Sequence, residues 1–336
     1  MLNNDGSWLS LKIAKLSVSE LKAYYFTING IIKAVDGINL EIYDGESLGI
    51  AGESACGKSS LGSAFLRILQ PPGKIVYGSI KLNGTDIVKL SDSDFDKKIR
   101  WKKISMVFQG AMNTLDPVYT IGDQMREIME QHHFKGNFKK IILESLKQVG
   151  LDNSIADRYP HELSGGMKQR VVIAMALLLE PEIVIADEPT TALDVLIQAQ
   201  IMNLLKTLKK EKGMTIILIT HDVGLISEIS DKIAIMYAGQ IVEFGLSSQI
   251  YKNAKHPYTQ ALLSAIPKLH STDKQVHFIK GNPPNLLNLT SGCRFYSRCP
   301  HAMDICKENP PEIKTESGYV RCWLYKWHWN IYEEKA

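Results

Sequence analysis

Eight consecutive residues, Gly52-Glu53-Ser54-Ala55-Cys56-Gly57-Lys58-Ser59, fit the pattern G-x-x-x-x-G-K-[ST]. Small residues let a chain curl so tightly that successive backbone N–H groups point into one concavity. A helix beginning near Lys58 adds its unpaired N-terminal donors and the positive end of its dipole. Such a loop is built for a polyphosphate, with Lys58 reaching the outer phosphates and the Ser59 hydroxyl ligating Mg²⁺. Ala55 stands where loops of this kind usually carry glycine. If its φ is positive, the Cβ costs about 1–2 kcal/mol.

Further along, other residues could serve the same ligand. Leu163-Ser164-Gly165-Gly166 opens a second helix, with Ser164 as N-cap and two glycines allowing close backbone approach. That makes a second helix start fit for an anion. Glu182 to Glu188 is an apolar run ending in two carboxylates. Asp187 fits the acidic residue that holds Mg²⁺ beside a phosphate loop. Glu188 should face elsewhere, suited to orient and deprotonate water. Gln109 follows the apolar run Ile104 to Phe108, where an amide can reach a metal or water at a strand's C-terminal edge. His221 follows the run Thr215 to Thr220 and can donate to a γ-phosphate, although histidines at strand ends also serve purely structural roles. The Tyr25-Phe26 pair offers a ring that can stack on a purine, or simply pack.

The elements that must position these groups can be read from periodicity. Ser47 to Ala51 is a short buried strand ahead of the loop, and Ser60 to Leu69 a helix behind it. Ile38, Leu40 and Ile42 alternate with polar residues, as do Ile80 and Leu82 before an Asn83-Gly84 turn, which predicts an N-terminal β region with a hairpin. Residues 120–160 lack alternation; Ile141, Ile142, Leu146, Val149 and Leu151 fit one face of a helix. Ile201, Leu204, Leu205 and Leu208 fit another, and Lys232 to Phe244 a closing hairpin. The fold class is therefore α/β.

The composition narrows the classes of function. At 336 residues, 45% hydrophobic and 22% charged, the chain is of ordinary globular make-up, large enough for one domain plus an appendage or for two. A net charge of +3 gives no basis for nucleic acid as a partner. The longest apolar run, Val171 to Leu179, is about half a membrane span. The opening Met-Leu-Asn-Asn-Asp-Gly carries no secretory signal, so the chain is expected in the cytosol, free to dock on integral membrane partners.

Of five cysteines, Cys56 lies in the phosphate loop and four follow as Cys293-x₅-Cys299-x₆-Cys306-x₁₅-Cys322. In a reducing compartment a cluster of thiols suggests a metal centre rather than disulfides. Four thiolates suit zinc or an iron–sulfur cluster, and the lack of a C-x₂₋₄-C pair favours the cluster. Nothing in the sequence places these cysteines near the phosphate loop, so a structural role is expected. Trp323, Trp327 and Trp329 read as packing residues.

Taken together, residues 10–250 resemble an ATP-binding cassette (ABC) ATPase, a phosphate-loop NTPase core with an N-terminal antiparallel β subdomain. Phosphate loop, Gln109, Leu163-Ser164-Gly165-Gly166, Asp187-Glu188, Asp194 and His221 occur in the family's order, with Ala55 the one clear departure. The resemblance implies a nucleotide site of Tyr25, Gly52, Ser54, Ala55, Cys56, Gly57, Lys58, Ser59, Ser60 and Asp187. It implies Mg²⁺ held by Ser59, Gln109 and Asp187, and catalysis by Glu188, His221 and Gln109. It also implies a head-to-tail dimer in which Ser164, Gly165, Gly166 and Gln169 contact the partner's ATP and Asp194 lies in the dimer turn. Residues 251–336, with His256-Pro257-Tyr258, Pro283-Pro284 and the four cysteines, resemble the extension of bacterial dipeptide, oligopeptide and nickel importer ATPases, where the cysteines are associated with an iron–sulfur cluster. The implied organisation is a nucleotide-binding domain over 1–250, its helical insertion about 110–165, and a small Cys-rich extension over 251–336. The implied partners are a second similar or identical ATPase, two transmembrane permease subunits and, indirectly, an extracytoplasmic binding protein, at the cytoplasmic face of the membrane. Nickel import, and a soluble role in translation or DNA repair, are the competing readings.

Overall fold

The computed structural model describes residues 13–265, 279, 281–287, 289 and 291–326. Trp327, Trp329 and the opening segment lie outside these residues. Two sheets organise the chain. The first is four-stranded and antiparallel, in the order β2-β1-β4-β5, from β1 (Leu16–Thr27), β2 (Gly30–Ile42), β4 (Gly73–Leu82) and β5 (Thr85–Asp86). Its alternation is the one expected: Ile38, Leu40 and Ile42 are buried while Glu41 is exposed. Asn83 and Gly84 both have positive φ, as the tight β4–β5 turn needs.

The second sheet has eight strands. Its parallel centre is β3 (Leu48–Ala51), β8 (Thr215–Ile219), β7 (Ile183–Asp187) and β6 (Ile104–Val107). These strands are buried on both faces, which is why they read as unbroken apolar runs. Period two divides them: Ile183, Ile185, Ile217 and Ile219 face the N-terminal sheet, while Val184, Ala186, Ile216 and Leu218 face the helical layer. β9 (Lys232–Tyr237) lies parallel to β3 on its other side, and β10 (Gln240–Leu246) runs antiparallel to β9. A hairpin of β11 (Glu312–Lys314) and β12 (Tyr319–Arg321) then completes the sheet, β12 pairing with β10 through Glu243↔Val320 and Phe244↔Tyr319.

The helices are α1 (Lys58–Phe65), α2 (Asp92–Lys98), α3 (Ile121–Gln131), α4 (Phe138–Gln148), α5 (Gly165–Leu177), α6 (Val195–Lys212), α7 (Val223–Ile229), α8 (Ser247–Asn253) and α9 (Pro257–Ser264). α1 stops short of the expected Leu69. Arg67 takes φ +54°, its N–H bonds Ala64 O, and Ile68 N–H bonds Ser63 O. This is a Schellman stop made without glycine, so no residue signal announced it. The extension does not stand apart: Tyr258 and Phe295 are fully buried in the same apolar cluster as α5 and α6.

Candidate nucleotide site

The phosphate loop joins β3 to α1 at the C-terminal edge of the parallel strands, where open α/β sheets bind ligands. Gly57 has φ +106°, and a Cβ there would lie 1.9 Å from the Ala34 carbonyl oxygen, so only glycine fits. Ala55 has φ +62°, meeting the condition set for strain at that position. Ser54, Ala55 and Ser59 are exposed at the mouth of the loop, while Cys56 and Lys58 are buried. Burial pushes the Cys56 thiol up, against the pull of Lys58. Lys58 Nζ donates to the carbonyls of Gly52 (2.8 Å) and Glu53 (2.9 Å), curled inside its own loop. Tyr25, on β1, lies at the same site, its hydroxyl 3.2 Å from Ser60 Oγ; Phe26 is exposed.

The carboxylate pair separates as expected. Asp187 ends β7 and is buried, with its Oδ1 lacking any hydrogen-bond partner. Burial, then the charge of Glu188, raises its pKa against the Ser59 hydroxyl and Lys58. Glu188 takes φ +47°, which turns its side chain onto a different set of neighbours. Its Oε2 accepts from Gln109 Nε2 (3.0 Å) and Thr191 Oγ1 (2.9 Å), and its Oε1 lies 3.1 Å from His221 Nδ1. Burial opposes ionisation, but His221, Thr191 and the charge of Lys58 outweigh it and hold the carboxyl below its ordinary range. The ends of β6, β7 and β8 thus converge on one carboxylate. Thr191 was not singled out from the sequence; its place three residues after Glu188, in a turn, was the available signal.

Ser164 caps α5 by accepting from Met167 N–H, and Ser164 and Gly165 are exposed at that helix start. Gln169, grouped with them in the sequence, is instead buried. Asp194 caps α6, accepting from Ile197 N–H at 3.0 Å, and is followed by exposed Val195 and Leu196.

The comparisons agree with this geometry. A family model described as "ABC transporter" matches residues 35–191, and one described as "Oligopeptide/dipeptide transporter, C-terminal region" matches residues 242–306. The dipeptide transport ATP-binding protein DppD of Caldanaerobacter subterraneus is 42% identical, covering 93% of this chain and 97% of its own length. The oligopeptide transport ATP-binding proteins AppD of Bacillus subtilis and OppD of Salmonella typhimurium are each 44% identical, covering 93% and 91% of this chain and 97% and 92% of their own. The chain belongs to the ABC transporter family. Among solved structures, the dimeric ABC transporter cassette MJ0796 superposes with a TM-score of 0.61 at 31% identity, over 69% of this chain and 98% of its own. CbiO1 of Clostridium perfringens, part of the transporter complex cbiONQ, gives 0.61 at 31% identity, over 71% of this chain and 91% of its own.

The contacts of the extension correct one expectation. The segment between the first two cysteines of the tail is not remote from the phosphate loop. Arg298 donates to both carboxylate oxygens of Glu53, at 2.6 and 2.8 Å, and the Tyr258 hydroxyl accepts from Glu53 N–H at 2.9 Å. Distance along the chain concealed this, because the tail folds back under the loop. All four tail cysteines are free thiols lining one small cavity, together with His256 and His301. Burial pushes Cys293 to about 11 and Cys322 to about 12, with the charges of neighbouring tail thiols adding to it. Among the described residues no three His, Cys, Asp or Glu side chains are already arranged as a metal site. No helix of the described residues is long and apolar enough to cross a membrane.

Proposed function

We propose that this chain is the ATP-hydrolysing subunit of an importer of dipeptides or oligopeptides, acting peripherally at the cytoplasmic face of the cell membrane. The observation that carries this reading is the Glu188 carboxylate, held by Gln109, Thr191 and His221 beside a phosphate loop, in a chain whose relatives bear the names of peptide transporter ATPases. Glu188 polarises the attacking water, His221 holds the γ-phosphate, and Lys58 leaves its loop carbonyls for the phosphates. Tyr25 stacks on adenine beside Ser60.

The residues present fit Mg²⁺. Asp187 carries a buried, unpartnered oxygen with the Ser59 hydroxyl at its side, and Gln109 lies across from it on Glu188. Ser59, Asp187 and Gln109 would hold the ion, which when bound neutralises phosphate charge. The four tail thiols line one cavity, which favours a thiolate centre that would draw their side chains together on binding. Cys293, Cys299, Cys306 and Cys322 would hold a [4Fe–4S] cluster, with zinc as the alternative, and either would staple the extension.

The exposed starts at Ser164 and Gly165, with Val195 and Leu196 beside Asp194, form the face for a second cassette, identical or related. ATP is clamped there between the Lys58 and Ser59 of one cassette and the Ser164, Gly165 and Gly166 of the other, and its hydrolysis lets the pair open. Gln169 reaches that seam only if α5 shifts, because its side chain is buried. Exposed Val118 and Tyr119, on the insertion at about 110–165, favour docking to two permease subunits. The working division remains residues 1–250 as cassette and 251–336 as extension.

The test is reconstitution with the permeases and binding protein in vesicles. Dipeptide or oligopeptide should stimulate phosphate release and accumulate inside; stimulation by nickel alone would replace the cargo, and ATP turnover indifferent to the permeases would end the transport reading. Iron and acid-labile sulfide, measured against zinc, decide the thiolate centre.

A further inference from the structure

We propose that Arg298 is a positioning residue for the phosphate loop, neutralising Glu53 so that the loop can receive a polyanion. This deepens the nucleotide-site reading and rests on it. Glu53 is the second residue of the loop, and its carboxylate brings negative charge to a place that must bind a triphosphate. Arg298 cancels that charge with a two-pronged contact, the strongest form of carboxylate pairing. The guanidinium is itself fixed. Its side chain is 4% exposed, it lies over the rings of Tyr237 and Phe295 at 5.7 and 5.9 Å, and it donates to the Tyr237 hydroxyl at 3.2 Å.

Glu53 in turn acts on the loop. Its N–H is pinned by the Tyr258 hydroxyl, and its carbonyl accepts from Lys58 Nζ. The residue that orients the phosphate-binding lysine is therefore gripped from the far side by two residues of the extension. Arg298 directly precedes Cys299, so whatever holds Arg298 in place also holds the backbone of that cysteine. A second arginine repeats the pattern: Arg294, next to Cys293, bonds the Ala238 carbonyl and Asp36, and Asp36 accepts from Tyr24 beside the adenine-side Tyr25.

Affinity for a fluorescent ATP analogue, measured on the full chain, tests this. Arg298→Gln should weaken binding about tenfold or more, with a smaller loss for the ADP analogue, because it leaves Glu53 uncompensated. Adding Glu53→Gln to that variant should restore affinity to within about threefold of wild type, since charge, not shape, is what Arg298 supplies. A residue needed only for packing would not be rescued in this way. Should Arg298→Gln fail to fold, Arg298→Lys serves: it keeps the charge without the fork and should show an intermediate loss. Unchanged affinity in folded Arg298→Gln, or no rescue by Glu53→Gln, would overturn the assignment. Wild type without nucleotide affinity would overturn the site itself.

Discussion

Glu188 Oε1 lies 3.1 Å from His221 Nδ1, which ties the end of β7 to the end of β8. With Gln109 on the other oxygen, the carboxylate is oriented before any ligand arrives, so little reorganisation remains for the reaction. Glu188→Gln keeps the shape and removes the base. Phosphate release should fall about 10²- to 10³-fold while nucleotide affinity stays within a factor of a few. Turnover unchanged in that variant would remove Glu188 from the mechanism.

Asp187 makes the opposite trade. Burial raises its pKa, so above the unfolded-state value its ionisation is less favourable in the fold and costs stability until a cation arrives. Asp187→Asn should therefore leave the nucleotide-free protein as stable as wild type or more so, by about 1 kcal/mol, while Mg-ATP affinity drops at least tenfold. Thermal melts with and without Mg-ATP separate the two effects; a variant destabilised in both states would contradict the assignment.

Ala55 holds φ +62° without a glycine's freedom. Ala55→Gly should relieve about 1 kcal/mol of backbone strain, partly offset by unfolded-state entropy. A melting temperature higher by roughly 1–3 °C is expected, read by calorimetry, with ATP affinity equal or better. A lower melting temperature would show that the loop tolerates this conformation at no cost.

Glu182, at the foot of β7, gathers Lys103 and Lys15 and accepts from Asn83. Burial works against the charged form, but these donors dominate and take its pKa from 4.5 to about 2. A carboxyl with a depressed folded pKa stabilises fully above its unfolded value and loses that contribution as pH falls toward the folded one. Wild type should thus exceed Glu182→Gln by about 1–3 kcal/mol at pH 7, a gap that closes between pH 4.5 and 2. Urea midpoints across that range give the measurement; a gap that persists at the acid end would mean the effect is packing.

The candidate nucleotide site was legible as a set of residues that the fold brings together, because each of its motifs is local. The phosphate-loop glycines lie within a few residues of one another, the carboxylates directly follow their apolar strand, and each motif carries its own physical signature. What escaped was long-range or glycine-free. Thr191 meets Glu188 only because of the turn after β7, and Arg67 ends α1 in a conformation its residue type does not advertise. Arg298 meets Glu53 across 245 positions, and no periodicity reports such a contact. Gln169, which the resemblance grouped with Ser164 as a contact to the partner's ATP, is turned inward by helix periodicity.

The β11–β12 hairpin has a practical consequence for anyone trimming this protein. A cassette cut near residue 250 would strip β12 from β10 and leave a bare ladder of donors and acceptors at Glu243 and Phe244. Short, charged β11, with Glu312 and Lys314 outermost, now shields that rim. The truncated species should polymerise edge to edge, scattering light as its concentration rises, even though every residue of its catalytic apparatus is intact.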